Sequence, residues 1–258
     1  MNLALDGRLG DHFTSKSQWA RKVTEGWAEG NLFCLACASN RLTAHEPNRA
    51  VEDYQCPTCS RRVQLKAKHG RLASTVSNSA YEKKRAAILA GRAPDYCFMA
   101  YDRDALLVND LVWVPGHFMT LSVVSKRKPL KATARRAGWI GSNLHLDRIP
   151  RVGKIAVVAD GRLAKKAAVR KQFAELSFLR ALGAEKRGWV TDVLSCLDDL
   201  ALRSGSQFTL TDVYGCEDKL QALHPKNRNV RPKVRQQLQV LVAGGVIERV
   251  VPGTYRRL

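Results

Sequence analysis

The sequence predicts a mixed α/β (α+β) protein with a zinc-braced N-terminal part, residues 1–182, and a C-terminal winged helix, residues 183–258. Three observations predict it. Two Cys-x-x-Cys pairs, Cys34/Cys37 and Cys56/Cys59, stand eighteen residues apart, within the spacing of four-cysteine zinc sites. Apolar, strand-like runs alternate with helical ones up to about residue 182. From residue 189 on, three helical patterns are followed by a short hairpin, the order of a winged variant of the helix-turn-helix.

The elements follow in order. SKSQWARKVTEGWAEGN opens on Ser15-x-x-Gln18, a capping-box pattern, and Trp19, Val23 and Trp27 recur at helical spacing until Gly30-Asn31. Residues 33–60, rich in Asn, Pro, Ser and Thr, read as loops. RRVQLKAK alternates Val63, Leu65 and Ala67 with Gln64, Lys66 and Lys68, the period of a strand. EKKRAAILAG is expected to be helical. YCFMAY, LLVNDLVWVP and KIAVVAD are expected strands, and RKQFAELSFLRAL a helix. WVTDVLSCLDDLAL, TDVYGCEDKLQAL and RPKVRQQLQVLVAGG then give three helices, with FTL a short strand between the first two. VIERVV and TYRRL form a hairpin around Pro252-Gly253.

The bulk properties narrow the function. The chain has 258 residues, 45% of them hydrophobic, enough to bury a core and to make disorder an unsuitable reading. A formal charge of +20 suits a polyphosphate partner and serves no purpose for a small-molecule enzyme. Residues 126–171 hold fourteen Lys or Arg against Asp147 and Asp160, so +12 of the +20 falls there, a concentration expected to face phosphates. MNLALDGRLGDHF lacks a basic region followed by an apolar run, so no signal peptide is expected. The longest apolar stretch, LFCLACA, is far below the roughly 20 residues that span a bilayer. An intracellular, cytoplasmic protein without a membrane partner is expected, and there paired thiols point to metal rather than disulfides. Cys97, Cys196 and Cys216 fall in apolar periodic segments and read as packing.

Four thiolates close a tetrahedral shell, so the zinc at Cys34, Cys37, Cys56 and Cys59 would be structural, and His45 between the pairs is not needed. Asp53, Gln64 and Lys66 surround the second pair. Metal-dependent phosphodiester cleavage needs oxygens to hold Mg²⁺ and a cation to stabilise charge and help activate water. Gln64 and Lys66, two apart on one strand, share a face, and a tight knuckle would bring Asp53 opposite them. The zinc would then set the register of the two strands that build the site. In the third C-terminal helix Val234, Leu238, Leu241 and Val242 form the buried side. Lys233, Arg235, Gln236, Gln237 and Gln239 occupy the other faces, where Arg can read guanine and Gln adenine in a major groove. A merely solvated helix face is the bland alternative.

SKSQWARKVTEGW, the two Cys-x-x-Cys pairs, LKAKHG, KPLKATARRAGWIGSN and RQQLQ together resemble the DpnI-like methyl-directed (type IIM) restriction endonucleases of the PD-(D/E)XK nuclease superfamily. The resemblance runs from Ser15 to Leu258. It implies a PD-(D/E)XK nuclease domain with structural Zn²⁺ and a C-terminal winged helix. It further implies that both domains recognise double-stranded GATC bearing N6-methyladenine, and that a divalent metal such as Mg²⁺ is needed for cleavage. By this resemblance Asp53 and Lys66 are catalytic and Trp139 meets the adenine methyl groups; Gln64 is expected beside Asp53 as a catalytic residue and magnesium ligand through its amide oxygen. Arg135, Arg136 and Asn143, in the same segment as Trp139, are expected DNA contacts. An indole face suits a methyl group in the major groove, and Gly138, Gly141 and the two arginines place Trp139 in a loop rather than a core. The chain departs from the pattern at Gln64, where the family has Glu. An amide oxygen can ligate the ion but adds no charge. Glu52 should point to the opposite face from Asp53. The competing reading is therefore a methyl-adenine DNA reader, a zinc-plus-winged-helix regulator with weak or lapsed cleavage. A monomer is expected.

Overall fold

The structure, a computed structural model, describes residues 1–45 and 52–258. It packs as two compact units that interleave along the chain. One comprises Met1–Ser74, Ala93–Gly116 and Gly153–Ala174, the other Thr75–Arg92, His117–Val152 and Glu175–Leu258. Residues 75–92 and 117–152 gather with the C-terminal residues.

The first unit opens with helix α1, Lys16–Asn31, which buries Val23, Thr24, Trp27 and Ala28. The helix begins where the sequence places it, but the capping box does not form. Ser15 makes no side-chain cap and instead pairs its hydroxyl with Ser17 at 2.9 Å. A mixed sheet follows, built from β1 (Thr43–Ala44), β2 (Tyr54–Gln55) and β3 (Arg62–His69). The two-residue strands β1 and β2 lie within the span expected to be loop, too short to show a period. After β4 (Thr75–Ala80) and helix α2 (Tyr81–Leu89), which belong to the second unit, the chain returns through β5 (Asp95–Asp102) and β6 (Leu107–Val114). β5 is buried from Asp95 to Tyr101, which is why it reads as an unbroken apolar run. It pairs parallel with β3 and antiparallel with β6.

Strands β7 (Val124–Lys126) and β8 (Gly141–His145) form a separate sheet with β4, in the order β4-β8-β7. Then β9 (Ile155–Ala159) and β10 (Arg162–Leu163) complete the large sheet, ordered β1-β2-β3-β5-β6-β9-β10. Helix α3, Lys166–Glu175, follows.

In the second unit α4 (Ala184–Asp199) is buried continuously from Arg187 to Leu197. Strand β11 (Gln207–Thr209) leads to α5 (Leu210–Tyr214), where Thr209 and Asp212 close a complete capping box. The segment read as one helix from 211 to 223 is two, α5 and α6 (Glu217–Leu223), separated at Gly215-Cys216. Helix α7 (Val230–Ala243) and the hairpin β12 (Ile247–Val251) and β13 (Thr254–Arg257) end the chain. Gly253 makes the hairpin turn at φ +81°, a conformation that favours glycine. β11 joins the hairpin in a sheet ordered β11-β13-β12. No helix among the described residues is long and apolar enough to cross a membrane.

Candidate active site and DNA-facing elements

The knuckle between β2 and β3 has the geometry its spacing predicts. Cys34 Sγ lies 3.6 Å from Cys59 Sγ, Cys37 Sγ lies 3.5 Å from Cys56 Sγ, and all four sulfurs are within 4.8 Å of one another. A tetrahedron with Zn–S bonds of about 2.3 Å sets its sulfurs about 3.8 Å apart, so the cluster is compatible with structural zinc. Burial works against ionising Cys56, but the amides of Cys59 and Thr58 outweigh it and bring that thiol down to about 6. Burial pushes Cys34 the other way, up from the usual thiol range. His45 is not among the four donors.

Two supports of the knuckle were not visible in the sequence. Arg170 on α3 donates from Nε to the Cys34 carbonyl at 3.1 Å and from Nη2 to the Ser39 carbonyl at 2.9 Å. Lys166, one turn earlier, lies over the Phe33 ring at 4.9 Å. Their i, i+4 spacing was the available signal. On the other side Arg61, two residues past Cys59, donates to buried Asp95 at 3.1 Å. Asp95 also accepts from Trp113 Nε1 at 3.2 Å and from the Gly116 amide at 2.7 Å. It therefore ties the start of β3 to β5 and the end of β6. A side chain at Gly116 would meet the Ala93 carbonyl at 2.2 Å, so only glycine allows this approach.

Within this frame β2 and β3 run antiparallel with Tyr54 opposite Val63. One step beyond, Asp53 comes level with Gln64, and its amide donates to the Val63 carbonyl at 3.0 Å. Asp53 Oδ2 accepts the Leu65 amide at 2.8 Å, which turns the carboxylate onto β3. Gln64 is buried, Lys66 is half-buried, and Leu65 fills the core on the alternate side. Burial raises the Asp53 carboxyl above its usual range, opposed by the Lys66 ammonium and the Leu65 amide. Burial likewise lowers Lys66, opposed by Asp53. The two charges thus face each other in a poorly hydrated setting. Helix α1 adds Glu25, which pushes Asp53 up, and Arg21, which pulls it down; these two form a 2.7 Å ion pair. Glu52 is occupied elsewhere, 3.2 Å from Arg62 and 3.7 Å from His45.

The arrangement offers one anionic and one amide oxygen beside an amine that sheds its proton more readily than an ordinary lysine. Hard oxygen donors of this kind fit Mg²⁺, and Cys56 and Cys59 lie in the turn between the two strands that carry them.

In the second unit Trp139 lies in the loop 127–140 between β7 and β8, half-exposed. The loop is cross-linked by Leu130 and Trp139 backbone groups at 3.0 Å and by the Gly138 amide on Leu130 at 3.0 Å. Arg136 stacks over the indole at 4.9 Å, and Arg135 is exposed beside it. Gly141 lets the ring lie against the strand start, since a Cβ there would come within 2.9 Å of the indole. Asn143 sits on central strand β8, level with Ser77 and Ser125. Of the basic run 126–171, residues to 152 belong to this unit and 153–171 to the other. Lys166 and Arg170 are engaged with the knuckle.

On α7 the expected solvent face needs correction. Gln237 is fully buried, with Nε2 donating to the Lys233 carbonyl at 3.2 Å. The helical repeat places it with Val230, Val234, Leu238 and Leu241, so it cannot reach a base edge from there. Val242, expected inside, is half-buried. Lys233 turns towards α4, 3.9 Å from Glu185 and over the Trp189 ring at 6.0 Å. Arg235, Gln236 and Gln239 are exposed. Arg235 donates to the Tyr214 hydroxyl at 2.6 Å. Beside it a groove of about 390 Å³ is rimmed by Arg235, Gln239 and Arg249 and floored by Leu210, Val242 and Tyr255.

Residues 1–182 match the family described as DpnI, the Dam-replacing family. The chain belongs to the Dam-replacing family. Residues 185–257 match the Dam-replacing HTH domain, which assigns DNA binding to α4–α7 and the hairpin. A DpnI-like, methyl-directed restriction protein is what the Dam-replacing family and its helix-turn-helix domain together describe.

Proposed function

We propose that this chain is an endonuclease cleaving double-stranded DNA at GATC bearing N6-methyladenine, with Asp53, Gln64 and Lys66 as its active site. The observation that carries the reading is the register that sets Asp53 level with Gln64, with Lys66 on the same strand face and a four-cysteine cluster closing the turn between them. We read residues 1–182 as a PD-(D/E)XK nuclease domain and 183–258 as a winged helix. Asp53 Oδ1 and the Gln64 amide oxygen would hold the divalent ion, whose bound form supplies charge for the scissile phosphate and an acidified water. Lys66, with its proton affinity reduced by burial, is placed to accept a proton from the attacking water or to offset charge on the phosphate. Trp139 offers an apolar face to the adenine methyl, with Arg135 and Arg136 for the backbone, and α7 presents Arg235, Gln236 and Gln239 to a major groove.

Gln64 favours a second reading, a methyl-adenine reader in which cleavage has lapsed. One plasmid, prepared with and without GATC adenine methylation and incubated with Mg²⁺ or chelator, separates the two. Cutting confined to the methylated, Mg²⁺-containing sample is expected. Binding to methylated DNA without cutting would leave the reader.

A further inference from the structure

Cys196 and Cys216 take no part in the site described above, and beside the packing expected of them they stand close to a carboxylate. Cys97 is an apolar core residue on β5, fully buried. Cys196 is also buried, but on α4 it shares a helix face with Asp199, three residues on, which is exposed. Cys216 is half-buried at the junction of α5 and α6. One ligand atom from each, two sulfurs and a carboxylate oxygen, lie within 4.8 Å of one another. Lys219 borders the group, its Nζ 2.6 Å from Asp199 Oδ2 and 3.3 Å from Ser195 Oγ.

We propose that Cys196, Cys216 and Asp199 form a second metal site, for a thiophilic divalent ion of the zinc type, distinct from the four-cysteine cluster. The donors suit such an ion: two sulfurs and one carboxylate, with the exposed side of Asp199 leaving a fourth position for water. The charges suit it as well. Two thiolates and a carboxylate against one ammonium leave two negative charges, which one divalent ion cancels. Asp199 can serve both partners, Oδ2 on Lys219 and Oδ1 on the ion. Thiols bind such an ion as thiolates, so metal entry would release thiol protons. The ion would clamp α4 to the start of α6, two helices that pack against α7 and so position its exposed face. This inference does not depend on the nuclease reading.

The test is a metal count on the reduced full-length chain, dialysed against micromolar free Zn²⁺. Wild type is expected to hold one more zinc per chain than Cys216→Ser, a change at a half-buried junction. With Co²⁺ replacing zinc, the difference spectrum between the two should show thiolate-to-cobalt charge transfer. Equal zinc counts in the two proteins overturn the proposal. So does recovery of Cys196 and Cys216 as a disulfide with no zinc lost in Cys216→Ser, which would make the pair a redox couple. Circular dichroism of Cys216→Ser identifies a folding failure, in which case Asp199→Asn supplies the same comparison, with weakened zinc retention expected and unchanged retention overturning the site.

Discussion

Gln64→Glu changes one atom group at the centre of the site and separates two roles for that position. In the wild type Asp53 and Lys66 nearly balance, so the site offers a divalent ion little net charge. A carboxylate at 64 would be level with Asp53 and share the face of Lys66. A unit charge pair at about 4 Å is worth about 4 kcal/mol in partly buried surroundings. Repulsion by Asp53 and attraction by Lys66 are of that size and roughly offset. What remains is attraction to a doubly charged ion, less the several kcal/mol that a buried carboxylate costs. A net gain of about 1.4 kcal/mol or more corresponds to at least about tenfold tighter metal binding. The assay is a Mg²⁺ titration of single-turnover cleavage, paired with calorimetric metal binding to the free protein. Gln64→Glu should reach half-maximal rate at about one tenth of the wild-type Mg²⁺ concentration. Without metal it should melt below wild type, because the cost of burying a carboxylate at 64 is then not offset by an ion, and Mg²⁺ should restore it. An unchanged Mg²⁺ dependence with unchanged metal binding would refute the assignment of Gln64 as a ligand.

The opposed shifts of Asp53 and Lys66 set a pH window. The Asp53 folded value is raised, so its contribution to stability is full below the unfolded carboxylate value and lost as pH rises through the folded one. Lys66 is lowered, so its contribution is present above the unfolded lysine value and lost as pH falls through the folded one. Both charged forms therefore cost stability at neutral pH. The double variant Asp53→Asn, Lys66→Met should abolish cleavage yet gain about 1–4 kcal/mol at pH 7 by denaturant unfolding, and each single change, which strands one charge, should melt below the double. Cleavage should fall on acidification at a pH above the ordinary carboxylate value, measured as a rate profile. Stripping zinc with chelator and returning only Mg²⁺ should leave cleavage lost and the melting temperature lowered, with Zn²⁺ required for recovery; recovery with Mg²⁺ alone would remove the knuckle from the site. Trp139→Ala should reduce the binding preference for doubly methylated over unmethylated GATC about 10- to 20-fold, since each buried methyl is worth about 0.8 kcal/mol. Competition binding measures that ratio directly.

The parts of this protein that were legible in its sequence are those held by local pattern. The alternation in RRVQLKAK gave β3 its two faces, and two short cysteine spacings gave the knuckle. Strand β5 was plain because burial on both faces leaves an apolar run, and β6 and β9 because Leu, Val and Ile dominate them. The sheet of β4, β7 and β8 was not visible, because TVSNSA, VSK and GSNLH are short and polar and exist as strands through pairing across long sequence separations. The supports of the site were hidden for the same reason: Arg170 reaches Cys34 over 136 residues, and Arg61 meets Asp95 over 34. Gln237 was misplaced because residue type outweighed position. A glutamine reads as surface, but its place between Val234 and Leu241 turns it inward. The split of α5 from α6 turned on Gly215, a stop signal within an otherwise continuous helical pattern.

The most direct test is single-turnover cleavage of a GATC duplex methylated on both strands, by wild type and by Asp53→Ala in Mg²⁺, with binding of the same duplex measured in parallel. Cleavage by wild type alone, with equal binding by both proteins, is the predicted result. Equal cleavage by both proteins would contradict the placement of the active site at Asp53, and no cleavage by either would contradict the assignment of this chain as a nuclease.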